Sequence, residues 1–297
     1  MSSIEKRMVA MLRKWRVCCI AALLAAAPAY ARPDDRPGLA RVTAYADLAD
    51  LALAAPVVVA ARIHAFVRVG RKDAPGLAPG SRRYLVRADV ERAIVAPGPV
   101  PSRIEYLWDV PSPTRPEIDD QDALLFLAPV AGKPDQFRLV RPGAQIAANA
   151  ALEARVRTIL TEARNAPVRK AVEVTRAFTV PGSVPGEAET QIFLKTDASV
   201  PISLVIVSRP GEAKRWTSAT GDTIDTDAPP PARDTLAWYT LACGLPRAVP
   251  PAATAELDEG QRATVAADYA YVLNALGPCR GAPPKEASST PTDKVSG

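Results

Sequence analysis

Three segments of this chain alternate apolar and polar residues over lengths that suit a β-strand with one wet face. In Val57–Val69 the odd positions, Val57, Val59, Ala61, Ile63, Ala65, Val67 and Val69, are all apolar, and the even positions include Arg62, His64 and Arg68. In Arg83–Val90 the apolar set Tyr84, Val86, Ala88 and Val90 opposes Arg83, Arg87 and Asp89. In Arg103–Val110 Ile104, Tyr106, Trp108 and Val110 oppose Arg103, Glu105 and Asp109. Successive side chains of a strand point to opposite faces, so a strict period of two predicts strands with one face buried and the other solvated. Gly76, Pro79, Gly80, Pro97, Gly98 and Pro99 punctuate the connections. Ala123–Ala128 is apolar on both faces and predicts a central strand, and Gln136–Val140 predicts a fifth.

Helical periodicity brackets these strands. TAYADLADLALAA places Tyr45, Leu48, Leu51 and Ala52 on one face before Pro56 ends the helix. Asn149 can cap a helix running to Ala163 with Leu152, Val156, Ile159 and Leu160 as its apolar stripe. Residues 43–166 therefore read as an OB-like five-stranded barrel with a C-terminal helix.

A second β-rich region, 167–280, begins at Pro167. Val172–Val180, Thr190–Thr196, Ile202–Ser208 and Arg215–Ala219 read as strands, with Pro210-Gly211 as a hairpin connection. The proline run at 228–233 ends them, and two helices follow, Asp234–Cys243 and Glu256–Leu276, the latter with Val265, Tyr269, Val272 and Leu276 on one stripe. The expected class is mainly β with flanking helices (α+β). The tail 281–297 is Pro, Ser, Thr and Lys with no apolar face, which reads as disorder.

Composition matters once the first residues are considered. Lys6, Arg7, Arg13, Lys14 and Arg16 precede the apolar run Val17–Ala27, and Ala29-Tyr30-Ala31 follows it. A basic start, an apolar core of about 7–15 residues and a small-x-small site form the pattern of a secretory signal peptide. The run falls short of the roughly 20 apolar residues needed to cross a bilayer. Residues 1–31 are thus expected to be cleaved near Ala31, 32–42 to form a flexible lead-in, and the mature chain to be periplasmic or secreted with no transmembrane segment.

Removing the leader's five basic and one acidic residue from 37 Lys+Arg and 32 Asp+Glu leaves a charge near +1 instead of +5. No phosphate-binding surface of the kind a nucleic acid requires is implied. Of four cysteines only Cys243 and Cys279 remain, and in an oxidising compartment a disulfide between them is the favoured reading. It would clamp the last two helices together.

Chemistry-bearing motifs are sparse. His64 is the single histidine, so no second one could activate Ser183, which sits in PGSVPG where flanking prolines suit a loop. With one histidine and a paired set of cysteines the usual zinc ligand sets are excluded. The acidic runs Glu117, Asp119, Asp120, Asp122 and Asp222, Asp225, Asp227 lack EF-hand spacing, so no metal site is assigned. No G-x-G-x-x-G follows a strand and no phosphate loop exists, so no cofactor is expected. Glu187 and Glu189 share a strand face and could act as a carboxylate pair. The plainer reading is a charged hairpin edge that discourages strand addition.

What remains is a surface. Arg62, His64, Phe66 and Arg68, with Arg83, Leu85 and Arg87 on the next strand, would form a mixed basic and apolar face of the kind OB barrels use for ligands, unless the second region covers it. The long first strand after ADLALAAP, then YLVRADVERAIV, IEYLWDV and ALLFLAP resemble the netrin-like or tissue-inhibitor-like OB-fold barrel over about Thr43–Ala163. That resemblance implies binding of other proteins by loops and edges. Its inhibitor members chelate a protease metal through an N-terminal cysteine. The mature chain here would begin Arg32-Pro33, so that mechanism does not carry over. The whole chain is also similar to exported alphaproteobacterial proteins of unassigned activity, which implies a compartment alone. The expected function is an exported, non-enzymatic binding or protein-interaction module of the cell envelope, with an envelope protein or surface ligand as partner. The alternatives are an envelope hydrolase using the second-region carboxylates and a structural envelope component.

Overall fold

The computed structural model describes residues 38–40, 44–113, 116–165, 168, 170–198, 200–220 and 228–280. The expected leader 1–31, most of the lead-in 32–42, the acidic residues Asp222, Asp225 and Asp227, and the tail 281–297 lie outside the described residues.

Helix α1 (Tyr45–Ala54) leads into β1 (Val57–Arg68). The strands β2 (Ser81–Val95), β3 (Arg103–Pro111), β4 (Gln121–Val130) and β5 (Lys133–Leu139) follow. They hydrogen-bond in the order β1-β2-β3-β5-β4, and β4 returns to pair with β1 from Val57↔Leu127 to Ile63↔Gln121, so the barrel closes. All contacts round it are antiparallel except β3–β5, which is parallel. β6 (Gln145–Ala147) continues along the same edge of β4 that β5 pairs with. The result is the expected mainly β fold with an OB-like five-stranded barrel.

The inward residues of the alternating strands fill the barrel. Val57, Val59, Ala61, Ile63, Tyr84, Val86, Ile104, Tyr106, Trp108 and Val110 form one buried cluster, closed by Ile118 from the β3–β4 loop. Strand β4 is apolar on both faces because both are covered. Ala123, Leu125 and Leu127 face the barrel interior, while Leu124 and Phe126 join a second cluster outside it.

That second cluster unites the helices with a four-stranded antiparallel sheet. Helix α2 (Ala150–Asn165) is capped by Asn149, whose Oδ1 accepts from the Leu152 N–H at 2.9 Å. Strands β7 (Ala171–Pro181), β8 (Ala188–Thr196), β9 (Ile202–Ser208) and β10 (Arg215–Thr220) are ordered β10-β9-β8-β7. Helices α3 (Leu236–Ala242) and α4 (Glu259–Leu276) back this sheet. The start of α4 is fixed by a capping box in which Asp258 and Gln261 satisfy each other's backbone N–H. Its Val265, Tyr269, Val272 and Leu276 are buried, as the stripe requires. Helix α1, rich in alanine and leucine, packs against β4, α2 and α3, and so is buried from several sides.

Cys243 and Cys279 form the expected disulfide, which joins the end of α3 to the residues just past α4. Gly244 is needed there. A Cβ at that position would lie 2.3 Å from the carbonyl oxygen of Ala171, so only glycine lets the end of α3 approach β7 this closely. No helix among the described residues is long and apolar enough to cross a membrane.

Candidate functional site

The alternation in β1 does not keep its parity to the end. Ile63 pairs with Ala88 and Ala65 with Arg87, which makes His64 the extra residue of a β-bulge. Beyond it Phe66 pairs with Val86 and Val67 with Leu85. Directly paired residues share a face, so Phe66 turns toward the barrel interior, where its ring stands 5.7 Å from that of Tyr84. Val67 turns outward and is 55% exposed. This corrects the expectation of one unbroken buried set from Val57 to Val69. It also divides the residues expected on one face. Arg62, His64, Arg83 and Arg87 point outward, whereas Phe66 points inward. Arg68, opposite Tyr84, falls on the inward side at the exposed end of the strand.

The outward residues do not make a basic face either, because strand register sets a carboxylate against each of them. Arg83 binds Asp109 through two hydrogen bonds of 2.7 and 2.8 Å, and Arg87 donates to Glu105 at 2.7 Å. Asp89 accepts from Arg103 at 3.1 Å and lies 3.3 Å from Nδ1 of His64. Arg62 donates to Asp120 at 2.8 Å and Asp122 at 2.9 Å, which gives the acidic loop before β4 its partner. The hydrogen bond and charge of Arg62 hold the Asp120 carboxyl below its ordinary range. Exposed pairs of this kind contribute little to stability, because solvent screens them. Their larger effect is to neutralise the surface and fix how the strands line up.

Between the Arg83–Asp109 and Arg87–Glu105 pairs runs an apolar row across three strands, Val67, Leu85 and Leu107. Val67 is 55% and Leu107 46% exposed. The opposite side of the barrel, at Val58, Ala60, Leu124 and Phe126, is the one the helices cover. The face of β1–β3 is therefore open.

Glu187 and Glu189 border a cleft of about 410 Å³ together with Ser183, Val207, Arg209 and Arg215. Glu187 lies 3.8 Å from Arg209, and Glu189 accepts from the Gln191 amide at 2.7 Å. β8 is an inner strand, so these carboxylates do not guard a sheet edge as expected. The edge strands are β7 and β10, and along β7 register shifts near Val172 and Thr175 interrupt a regular ladder.

Two polar clusters gave no signal in the sequence, because their members are far apart in the chain. Asp50 accepts a hydrogen bond from Tyr239 and pairs with Arg280 and, at 3.4 Å, with Lys170. Arg280 also binds Asp47 at 2.8 Å. Asp268 of α4 is 2% exposed and is paired with Lys214 and with the Thr190 hydroxyl. Both clusters join elements of the fold and present no open reaction centre.

No protein-family model matches this chain, and no curated protein matches it in sequence. What the fold and its surface define is a class: a protein built from an OB-like barrel and a helix-backed sheet, with an exposed barrel face on which Arg62, Arg83 and Arg87 are each paired with a carboxylate.

Proposed function

We propose that this chain is an exported, non-enzymatic binding or protein-interaction module of the cell envelope, and that the outer face of β1–β3 is its contact surface. The observation that carries this reading is the apolar row Val67–Leu85–Leu107, left open between two ion pairs on the barrel side that the helices do not cover. An interface core is apolar and its rim polar, which is the arrangement seen here. The netrin-like resemblance of the N-terminal half supports the same reading, since that family binds proteins. Export is supported by the signal-peptide pattern of residues 1–31, and a disulfide between Cys243 and Cys279 is compatible with an oxidising compartment.

In-cell crosslinking of the protein in its native envelope, followed by mass spectrometry, tests the proposal. A reproducible stoichiometric partner is expected, and Val67→Asp with Leu107→Asp should abolish its capture. A partner captured equally by that variant would overturn the assignment of the face.

A second reading, an envelope hydrolase, draws on the cleft that Glu187 and Glu189 share with Ser183, Arg209 and Arg215. It expects an activity on envelope polymers or esters that Glu187→Gln with Glu189→Gln abolishes. An interaction module is indifferent to that change.

A further inference from the structure

A second concave site lies away from both the barrel face and the carboxylate cleft. It occupies about 430 Å³ between the end of α2, the strands β9 and β10, and α3. Sites for small organic ligands are about 300–1,000 Å³ and mostly apolar with a few placed polar groups. Ile202, Leu236, Ala237 and Leu241 supply apolar lining, and Ser218 and Thr220 supply hydroxyls from β10.

Among the described residues that line this site, the one ionised side chain is a carboxylate. Glu162 lines the cleft, and its Oε2 accepts the Leu236 N–H at 2.9 Å, which fixes the carboxylate in place. Among the described residues its side chain makes no ion pair. Carboxylates elsewhere in the molecule, such as Glu153, Asp109 and Asp120, each face an arginine. The influence of Glu162 extends to Tyr45, whose hydroxyl is buried without a hydrogen-bond partner among the described residues. Burial first, and then the charge of Glu162, push that phenol's pKa upward.

We infer that this cleft is a ligand site for a small molecule with a hydrocarbon body and one cationic hydrogen-bond donor, an alkylammonium or aralkylammonium. The hydrocarbon packs on Ile202, Leu236 and Leu241, and the ammonium meets Glu162. An anion of the same shape is repelled by that carboxylate, and an alcohol gains the apolar contacts and a hydrogen bond but no charge attraction.

Isothermal titration of the intact protein with n-octylammonium, n-octanol and n-octanoate tests the inference. Saturable one-to-one binding of octylammonium is expected, with weaker binding of octanol and none of octanoate. Glu162→Gln keeps an acceptor for the Leu236 N–H and removes the charge, so it should weaken octylammonium about tenfold or more and leave octanol unchanged. Ala237 is exposed at the cleft wall, so Ala237→Trp should block both ligands while far-UV circular dichroism stays native. Thr220→Trp blocks from the sheet side if the helix variant does not fold. The inference is overturned by absence of saturable octylammonium binding, by equal affinity for all three probes, or by binding that the tryptophan variants leave intact.

Discussion

The hydroxyl of Tyr239 donates a hydrogen bond to the carboxylate of Asp50, a residue 189 positions earlier in the chain. This one contact ties α3 to α1, and the same carboxylate gathers Lys170 and Arg280. Lys170 also sits 4.5 Å from the centre of the Tyr239 ring. The first helix, the sheet and the disulfide-linked end of the chain therefore meet at one negative charge.

Acid sensitivity should follow from Asp50. Burial raises its pKa, but the Tyr239 hydrogen bond and the charges of Lys170 and Arg280 outweigh burial and hold it below the ordinary 3.8. A depressed native pKa gives stability that is present above the unfolded value and lost as pH falls through the native one. Asp50→Asn should cost about 1–2 kcal/mol near neutrality, since its cationic partners are partly exposed and screened. Its deficit against wild type should shrink below about pH 3.8. Urea unfolding across the acid range measures this, and a deficit independent of pH would contradict it.

The disulfide and the Asp50 cluster should be coupled. Cys243 and Cys279 are 36 positions apart, and Arg280, which binds Asp47 and Asp50, directly follows the second cysteine. Closing a loop of that length contributes about 4 kcal/mol in the chain-entropy model. Cys243→Ser with Cys279→Ser should lose that amount. Arg280→Ala should cost less in the serine background than in wild type, because Arg280 is no longer held beside its partners. Equal costs in a double-mutant cycle would show that the two are independent.

The bulge at His64 makes neighbouring substitutions diverge. Phe66→Ala removes a ring that faces Tyr84 and the barrel core and should cost about 1–3 kcal/mol. Val67→Ala, on the open face, should stay within about 0.5 kcal/mol of wild type. His64→Ala should leave the fold intact. Thermal and urea unfolding of the three variants decides the matter, and a Val67 cost above the Phe66 cost would refute the bulge.

Buried Asp268 should behave as half of a charge pair. Asp268→Ala strands Lys214 beside an apolar hole and leaves Thr190 without its acceptor, at a cost of about 3 kcal/mol or more. Adding Lys214→Met should recover part of that loss. A double variant less stable than Asp268→Ala would argue that Lys214 acts through other contacts.

Much of the fold was legible because its causes are local. Period two located β1 to β3, the two-faced apolar run located β4, Asn149 marked the start of α2, and the expectation of a cleaved leader left Cys243 and Cys279 as the pair to join. The candidate face was only half legible. Asp89, Glu105 and Asp109 were visible on the wet sides of their strands, but that Arg83 meets Asp109 and Arg87 meets Glu105 depends on register, which alternation alone does not determine. His64 carries no glycine or proline mark of a bulge, so the parity change was hidden. Asp50 with Lys170, Tyr239 and Arg280, and the cleft at Glu162, are assembled by tertiary packing of distant segments.

The most direct measurement is site-specific photocrosslinking in the native envelope, with the photoreactive residue at Val67 or at Leu107 and, as control, at Val172, which is 51% exposed on β7 of the other sheet. A barrel-face interface gives the same discrete adduct from Val67 and Leu107 and not from Val172. No adduct at the barrel positions, or the same adducts from all three, would contradict it.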